Sequence, residues 1–115
     1  MTEYSINVGT DFSRIPGGRY VRHGEFSGEA FRSEVLAPAL RKFDHVTVNL
    51  DGTVGYSGSF IEEAFGGLLR DEGFSAEDID RQLTITCSDQ RYALYVRMAQ
   101  QYIREAANRG SARVA

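Results

Sequence analysis

The chain has a single cysteine, a single lysine and two histidines among its 115 residues, and each scarcity removes a class of function. Cys87 alone cannot form an internal disulfide, and with only His23 and His45 to join it there is no zinc-ligand spacing, so no metal site is expected. Its place at the end of Leu83-Thr84-Ile85-Thr86 reads as a buried structural thiol. Neither histidine lies in a recognisable pattern with a serine or cysteine nucleophile, so no catalytic residues, no cofactor and no enzymatic turnover are expected. Lys42 apart, the basic side chains are all arginines, scattered along a chain of net charge −3, which argues against nucleic acid as a partner. No stretch approaches the roughly 18–20 consecutive apolar residues of a membrane span. Met1-Thr2-Glu3-Tyr4 lacks the basic and apolar regions of a signal peptide, so the expected compartment is the cytoplasm.

What is present is enough apolar material, 42% of the residues, for one core and one domain over 1–115. Tyr4-Ser5-Ile6-Asn7-Val8 alternates as a strand does, and Pro16-Gly17-Gly18 before Arg19-Tyr20-Val21 predicts a turn into a second short strand, hence an opening β-hairpin. Ser27 precedes a helix from Gly28 to Phe43, whose stripe is Ala30, Phe31, Val35, Leu36, Ala39, Leu40 and Phe43, with a kink or break expected at Pro38. Val46-Thr47-Val48-Asn49-Leu50 reads as a central strand ended by Asp51-Gly52. Ser59-Phe60-Ile61-Glu62 matches a capping box, which starts the next helix at Phe60 and carries it to about Arg70. Gly66-Gly67 inside that helix predicts close helix-to-sheet contact. Ser75 caps a short helix, Leu83 to Cys87 forms the next strand, and a last helix runs from Tyr92 to about Asn108, ended by Gly110 before a flexible tail at 111–115. The expectation is an α/β domain, a mixed sheet of about four strands covered by three to four helices.

The order strand, small polar loop, helix start in Val48 to Leu69 carries the most functional information. Free N–H groups at a helix start favour an anion, including a phosphate on a serine of the same loop, and Ser57 and Ser59 are the candidates. Here the chain resembles the STAS domain of anti-sigma factor antagonists and sulfate transporters. More closely it is similar to a STAS-like family of unknown function with Gly-Gly-Arg-Tyr, Ser-Gly-Glu-x-Phe-Arg and Ser-Phe-x-x-Glu-Ala-Phe-Gly-Gly segments. These stand at Gly17 to Tyr20, Ser27 to Arg32, and Ser59 to Gly67. The resemblance spans roughly Gly17 to Ile103 and implies a STAS-like fold, with a serine of the loop phosphorylated by a partner kinase. In gapless register Gly58 takes the phosphorylated position, with Ser57 and Ser59 on either side.

Two functional expectations follow. One is a non-enzymatic regulatory module that docks on a protein, a kinase-like ATPase by the family analogy, through Tyr56, Ser57, Gly58, Ser59 and the helix start, with Ser59 serving either as cap or as phosphate acceptor. The other is a nucleotide or phosphate binder in which Arg19, Ser27, Gly28 and Arg32 hold the anion at a helix start. Solvated charges around a hairpin and a capped helix explain the same residues without a ligand. Glu62-Glu63 and Asp71-Glu72 read as solvated or capping carboxylates.

Overall fold

The computed structural model describes residues 2–114, with side chains described through Gly110. Three strands, β1 (Glu3–Asn7), β2 (His45–Asn49) and β3 (Leu83–Thr86), form an all-parallel sheet in the order β1-β2-β3. Five helices accompany it: α1 (Val8–Asp11), α2 (28–42), α3 (58–70), α4 (Ala76–Gln82) and α5 (Ala93–Val114). Single 3-10 turns lie at Val21–His23 and Gln90–Tyr92. α2 connects β1 to β2 and α3 follows β2, and the two helices pack on each other over the apolar face of the sheet.

The alternation along the strands follows from this one-sided cover. Ile6, Val46, Val48, Leu50 and Ile85 are buried beneath Phe31, Leu36 and Leu40 of α2 and Phe60, Ile61, Phe65 and Leu68 of α3. The opposite face is polar throughout: Glu3, Ser5 and Asn7 on β1, His45, Thr47 and Asn49 on β2, Thr84 and Thr86 on β3, each exposed or half-buried. Parallel sheets usually have both faces covered and read as apolar runs. Here period two survives because one face meets water.

The expected hairpin and fourth strand are corrected. β1 pairs in parallel with β2, Glu3 opposite His45 and Asn7 opposite Asn49, while residues 19–21 form no strand. The intervening backbone bonds locally and to the helix start instead, through Gly17 N–H to Phe26 O, Gly28 N–H to Gly18 O and Glu29 N–H to Arg19 O. Val8 leaves the strand because Asn7 caps α1, accepting from the Thr10 N–H at 2.8 Å.

α2 and α3 each contain a π segment, Phe31–Leu36 in α2 and Glu62–Gly66 in α3. In α2 the wide turn stands directly before Pro38, where the Ala37 N–H reaches Arg32 O five residues back, so the backbone absorbs the proline and no break occurs. α5 also runs past Gly110 to Val114, further than expected, because that glycine stays helical. The flexible tail expected at 111–115 has its side chains, and Ala115 entirely, outside the described residues. No helix among the described residues is long and apolar enough to cross a membrane.

Candidate functional site

The strand-to-helix loop after β2 is fixed at several points. Leu50 N–H donates to Thr86 O, and the Asp51 carboxylate accepts from the N–H groups of Ser88 (2.9 Å) and Asp89 (3.2 Å), tying this loop to the one after β3. Gly52 turns the chain at φ +87°, and its carbonyl lies so near Gly9 that a Cβ there would sit 2.5 Å from the oxygen. Tyr56, expected to face a partner, is instead buried. Its hydroxyl donates to Leu50 O at 2.8 Å, its ring stands against Phe60, Tyr92 and Tyr95, and burial pushes the hydroxyl above its ordinary pKa.

The cap assignment moves by two residues. Ser57, not Ser59, is the N-cap of α3: its backbone is extended and its Oγ accepts from the Phe60 N–H at 3.1 Å. Ser59 lies in the first turn, half-buried, with its Oγ 3.2 Å from that of Ser57. The expected reciprocal partner, Glu62, is drawn away by arginines. Ser57 remains exposed, while Gly58 lies beneath α5, where an added Cβ would be 3.4 Å from the Tyr102 hydroxyl and 3.7 Å from Met98 Cε.

The three segments that carry the family resemblance meet at one joint between α2 and α3. Arg32 of α2, only 6% exposed, places Nη1 at 2.5 Å from Glu63 Oε2 and 3.0 Å from the Glu63 carbonyl, and Nε at 3.0 Å from Glu72 Oε2. Arg19 reaches Glu62 at 2.5 Å and Glu63 at 3.2 Å, and Arg70 reaches the same two carboxylates at 2.8 and 3.2 Å. Arg41 closes the chain on Glu72 at 3.0 Å. The glycines make room for it. Gly28 stands where a Cβ would be 2.5 Å from Phe60 O, and Gly67 where it would be 3.0 Å from Arg32 Cδ. Gly66-Gly67 thus serves the arginine cluster rather than a helix-to-sheet contact.

This arrangement gives the arginines of the anion-site expectation partners within the protein. Four arginines face Glu62, Glu63, Asp71 and Glu72, so the charges balance inside the protein. Ser27 is fully buried with its Oγ accepting from the Ala30 N–H, and Gly28 is buried against α3. The acidic pairs read as solvated are ion-pair partners, a role hidden because their arginines lie up to 44 residues away.

Burial alone would raise the Glu62 carboxyl, but hydrogen bonds and charge from Arg70 and Arg19 outweigh it and hold the group below its ordinary 4.5. Arg32 and Arg41 do the same for Glu72 against its own desolvation. A carboxyl depressed in the folded state stabilises the fold above its unfolded pKa, and that contribution disappears as pH falls through the folded value. Stability is therefore expected to hold as pH falls toward 4.5 and to decline below it. Urea midpoints measured between pH 7 and 3 check this. In a Glu62→Gln, Glu72→Gln variant the acid slope should be shallower.

The histidines and the cysteine lie apart from this joint. His45 bridges two strands, with Nε2 at 2.9 Å from Thr84 Oγ1 and Nδ1 at 3.3 Å from Arg81 O, a role beyond merely opening its strand. Cys87 is half-buried rather than fully buried. Among the described residues no group of three or more His, Cys, Asp or Glu side chains is placed to hold a metal ion. Two open clefts, of about 370 and 670 Å³, flank α4 and the C-terminal half of α5, and neither is lined by Arg19, Ser27, Gly28 or Arg32.

Comparison with known proteins gives one match. No curated protein and no solved structure matches the chain. A model of the STAS-like domain of unknown function (DUF4325) matches residues 27–92, from the buried cap of α2 to the tyrosine that begins α5's cover of the loop. That span holds β2, α3, α4 and β3 together with the Arg32, Glu63 and Gly67 joint. It leaves out Arg19, whose Gly-Gly-Arg-Tyr segment precedes it. With 66 of its 115 residues matched (92 − 27 + 1), the chain belongs to this STAS-like domain family.

Proposed function

We propose that the domain is a non-enzymatic regulatory module that docks on a protein partner through the loop at Ser57 to Ser59 and the start of α3, switched by serine phosphorylation there. The observation that carries the proposal is Ser57 itself: an exposed hydroxyl at the start of a 13-residue helix, 58–70, on a loop pinned to both neighbouring loops. The first-turn N–H groups and the positive end of the helix dipole favour a phosphate at that point, and its charge of about −1.5 to −2 alters whatever surface meets it. Of the two flanking serines, Ser57 is the better acceptor, since Ser59 is half-buried. A kinase-like ATPase is the partner that the wider STAS analogy supplies. The nucleotide or phosphate alternative has less support, because Arg32 has its donors engaged by carboxylates and a carbonyl.

Two substitutions at one position test this. Ser57→Ala removes the cap and should lower stability by about 0.5–2 kcal/mol. Ser57→Asp keeps a capping oxygen, so its denaturation midpoint should stay near wild type while partner capture falls. Mass spectrometry of the protein from its native host should find phosphate at Ser57. Full partner binding by Ser57→Asp, with no phosphate found on either serine, would reject the switch.

A further inference from the structure

β3 is last in the sheet order, so among the described residues its second edge has no strand beside it. The larger of the two clefts, about 670 Å³, lies at β3 between α4 and α5. Its floor is apolar, with Ile79 and Ile85 buried and Leu83 half-buried. Its two walls carry opposite charge. Gln100, Ile103, Arg104 and Ala107 recur at intervals of three and four, so one face of α5 forms a wall whose charge is Arg104, while α4 brings Glu77 and Asp80 to the other. All three charged side chains are exposed, and none of them enters an ion pair among the described residues. Their neighbours do pair, Asp78 with Arg81 at 3.1 Å and Glu105 with Arg109 at 3.9 Å. Arg104 has only Gln100, Gln101, Ala107 and Asn108 three and four residues away, so its own helix offers it no acid. Asp80 likewise has no base at those spacings, and the Arg81 that Glu77 could reach is held by Asp78.

We propose that this cleft is the interface of a homodimer. A two-fold axis along the cleft lays the α4 wall of each copy on the α5 wall of the other, so each Arg104 meets Glu77 and Asp80 of the other copy and the contact forms twice. The charges select a second copy as the occupant. A segment of one sign would satisfy one wall and be repelled by the other, whereas this chain supplies both signs in the order the walls require. Covering Leu83 and Ile103, both half-buried in the single copy, adds the apolar contact. Two short walls make a small interface, so the expected dissociation constant is about 1–100 μM. The dimer stands independently of the docking role given to the Ser57 loop.

Sedimentation equilibrium on the purified chain, from about 2 to 400 μM, compares wild type, Arg104→Glu, Glu77→Arg with Asp80→Arg, and Arg97→Glu, the last reversing an exposed charge of α5 outside the cleft. Wild type and Arg97→Glu should dimerise alike. Each cleft reversal alone should weaken the dimer at least about tenfold, because like charges then face each other across both contacts. Mixed in equal amounts, the two cleft variants should dimerise again as a heterodimer, since one carries acid on both walls and the other carries base. Melting curves taken below the dissociation constant should superimpose on wild type. Should a reversal melt early, wild type alone decides: raising NaCl from about 0.05 to 0.5 M should weaken its dimer several-fold, and an unchanged constant would reject the charged interface. A wild type that is monomeric over the whole range would overturn the proposal. So would a dimer that survives both reversals, which places the contact on another face, or cleft variants that stay monomeric when mixed.

Discussion

Arg32→Ala is expected to destabilise the domain by about 3–5 kcal/mol, the range for removing one member of a buried ion pair. Glu63 is only 3% exposed, and Arg32 supplies its closest charged partner at 2.5 Å. Without the guanidinium, that oxygen, the Glu63 carbonyl and Glu72 Oε2 all lose donors, inside a joint too enclosed for easy hydration. Arg19 and Arg70 still reach the other Glu63 oxygen at 3.2 Å, so the loss should fall short of full exposure of a naked charge. Urea denaturation measures it. Adding Glu63→Gln to Arg32→Ala should recover part of the loss, because the uncompensated charge is then removed. A decrease below about 1 kcal/mol would mean that the cluster is solvated and contributes little.

Gly28→Ala should lower stability by about 1–3 kcal/mol, although in an ordinary helical position the same change is favourable by roughly 0.5–1 kcal/mol. The sign reverses because the new methyl would stand 2.5 Å from Phe60 O and 3.1 Å from Glu63 Cβ, so α2 must move off α3. That movement would also separate Arg32 from Glu63. Gly17→Ala is the internal control, since nothing lies within 4 Å of a Cβ there. Thermal melts of the two variants should diverge. A Gly28→Ala protein as stable as wild type would show that the joint has slack.

Elements with strong periodicity were legible from sequence, and partnerships across the chain were not. β2, α2, the short helix after Ser75 and β3 follow from alternation, helical spacing and caps acting within a few residues. Pro16-Gly17-Gly18 does mark a turn, but a turn signal cannot say which strand β1 will pair with, and β2 offered the apolar match. Ser59 and Glu62 fit a capping box perfectly in spacing. The box failed because Arg19 and Arg70 bind that carboxylate more strongly than a backbone N–H would, leaving Ser57 to cap alone. The ion pairs of Arg19 and Arg32 were hidden for the same reason: basic residues near a helix start look available until their acids arrive from α3. The nearest local hint was Gly66-Gly67, a helix-weakening pair that reads as close helix-to-sheet contact and in the structure makes room for the Arg32 side chain instead.

The all-parallel register has a kinetic side. Glu3 pairs with His45 and Val46 with Leu83, separations of 42 and 37 residues (45 − 3 and 83 − 46), so no strand can find its partner through a local hairpin. Closing loops of that length before any sheet contact forms makes strand pairing the slow event, with helix formation far ahead of it. On the ribosome β1 and β2 can join once α2 has emerged, but β3 arrives only after α3 and α4 have been made. During that interval β2 presents an open, β-branched edge, Val46-Thr47-Val48, which makes the nascent chain lacking β3 the form most exposed to pairing with the wrong strand.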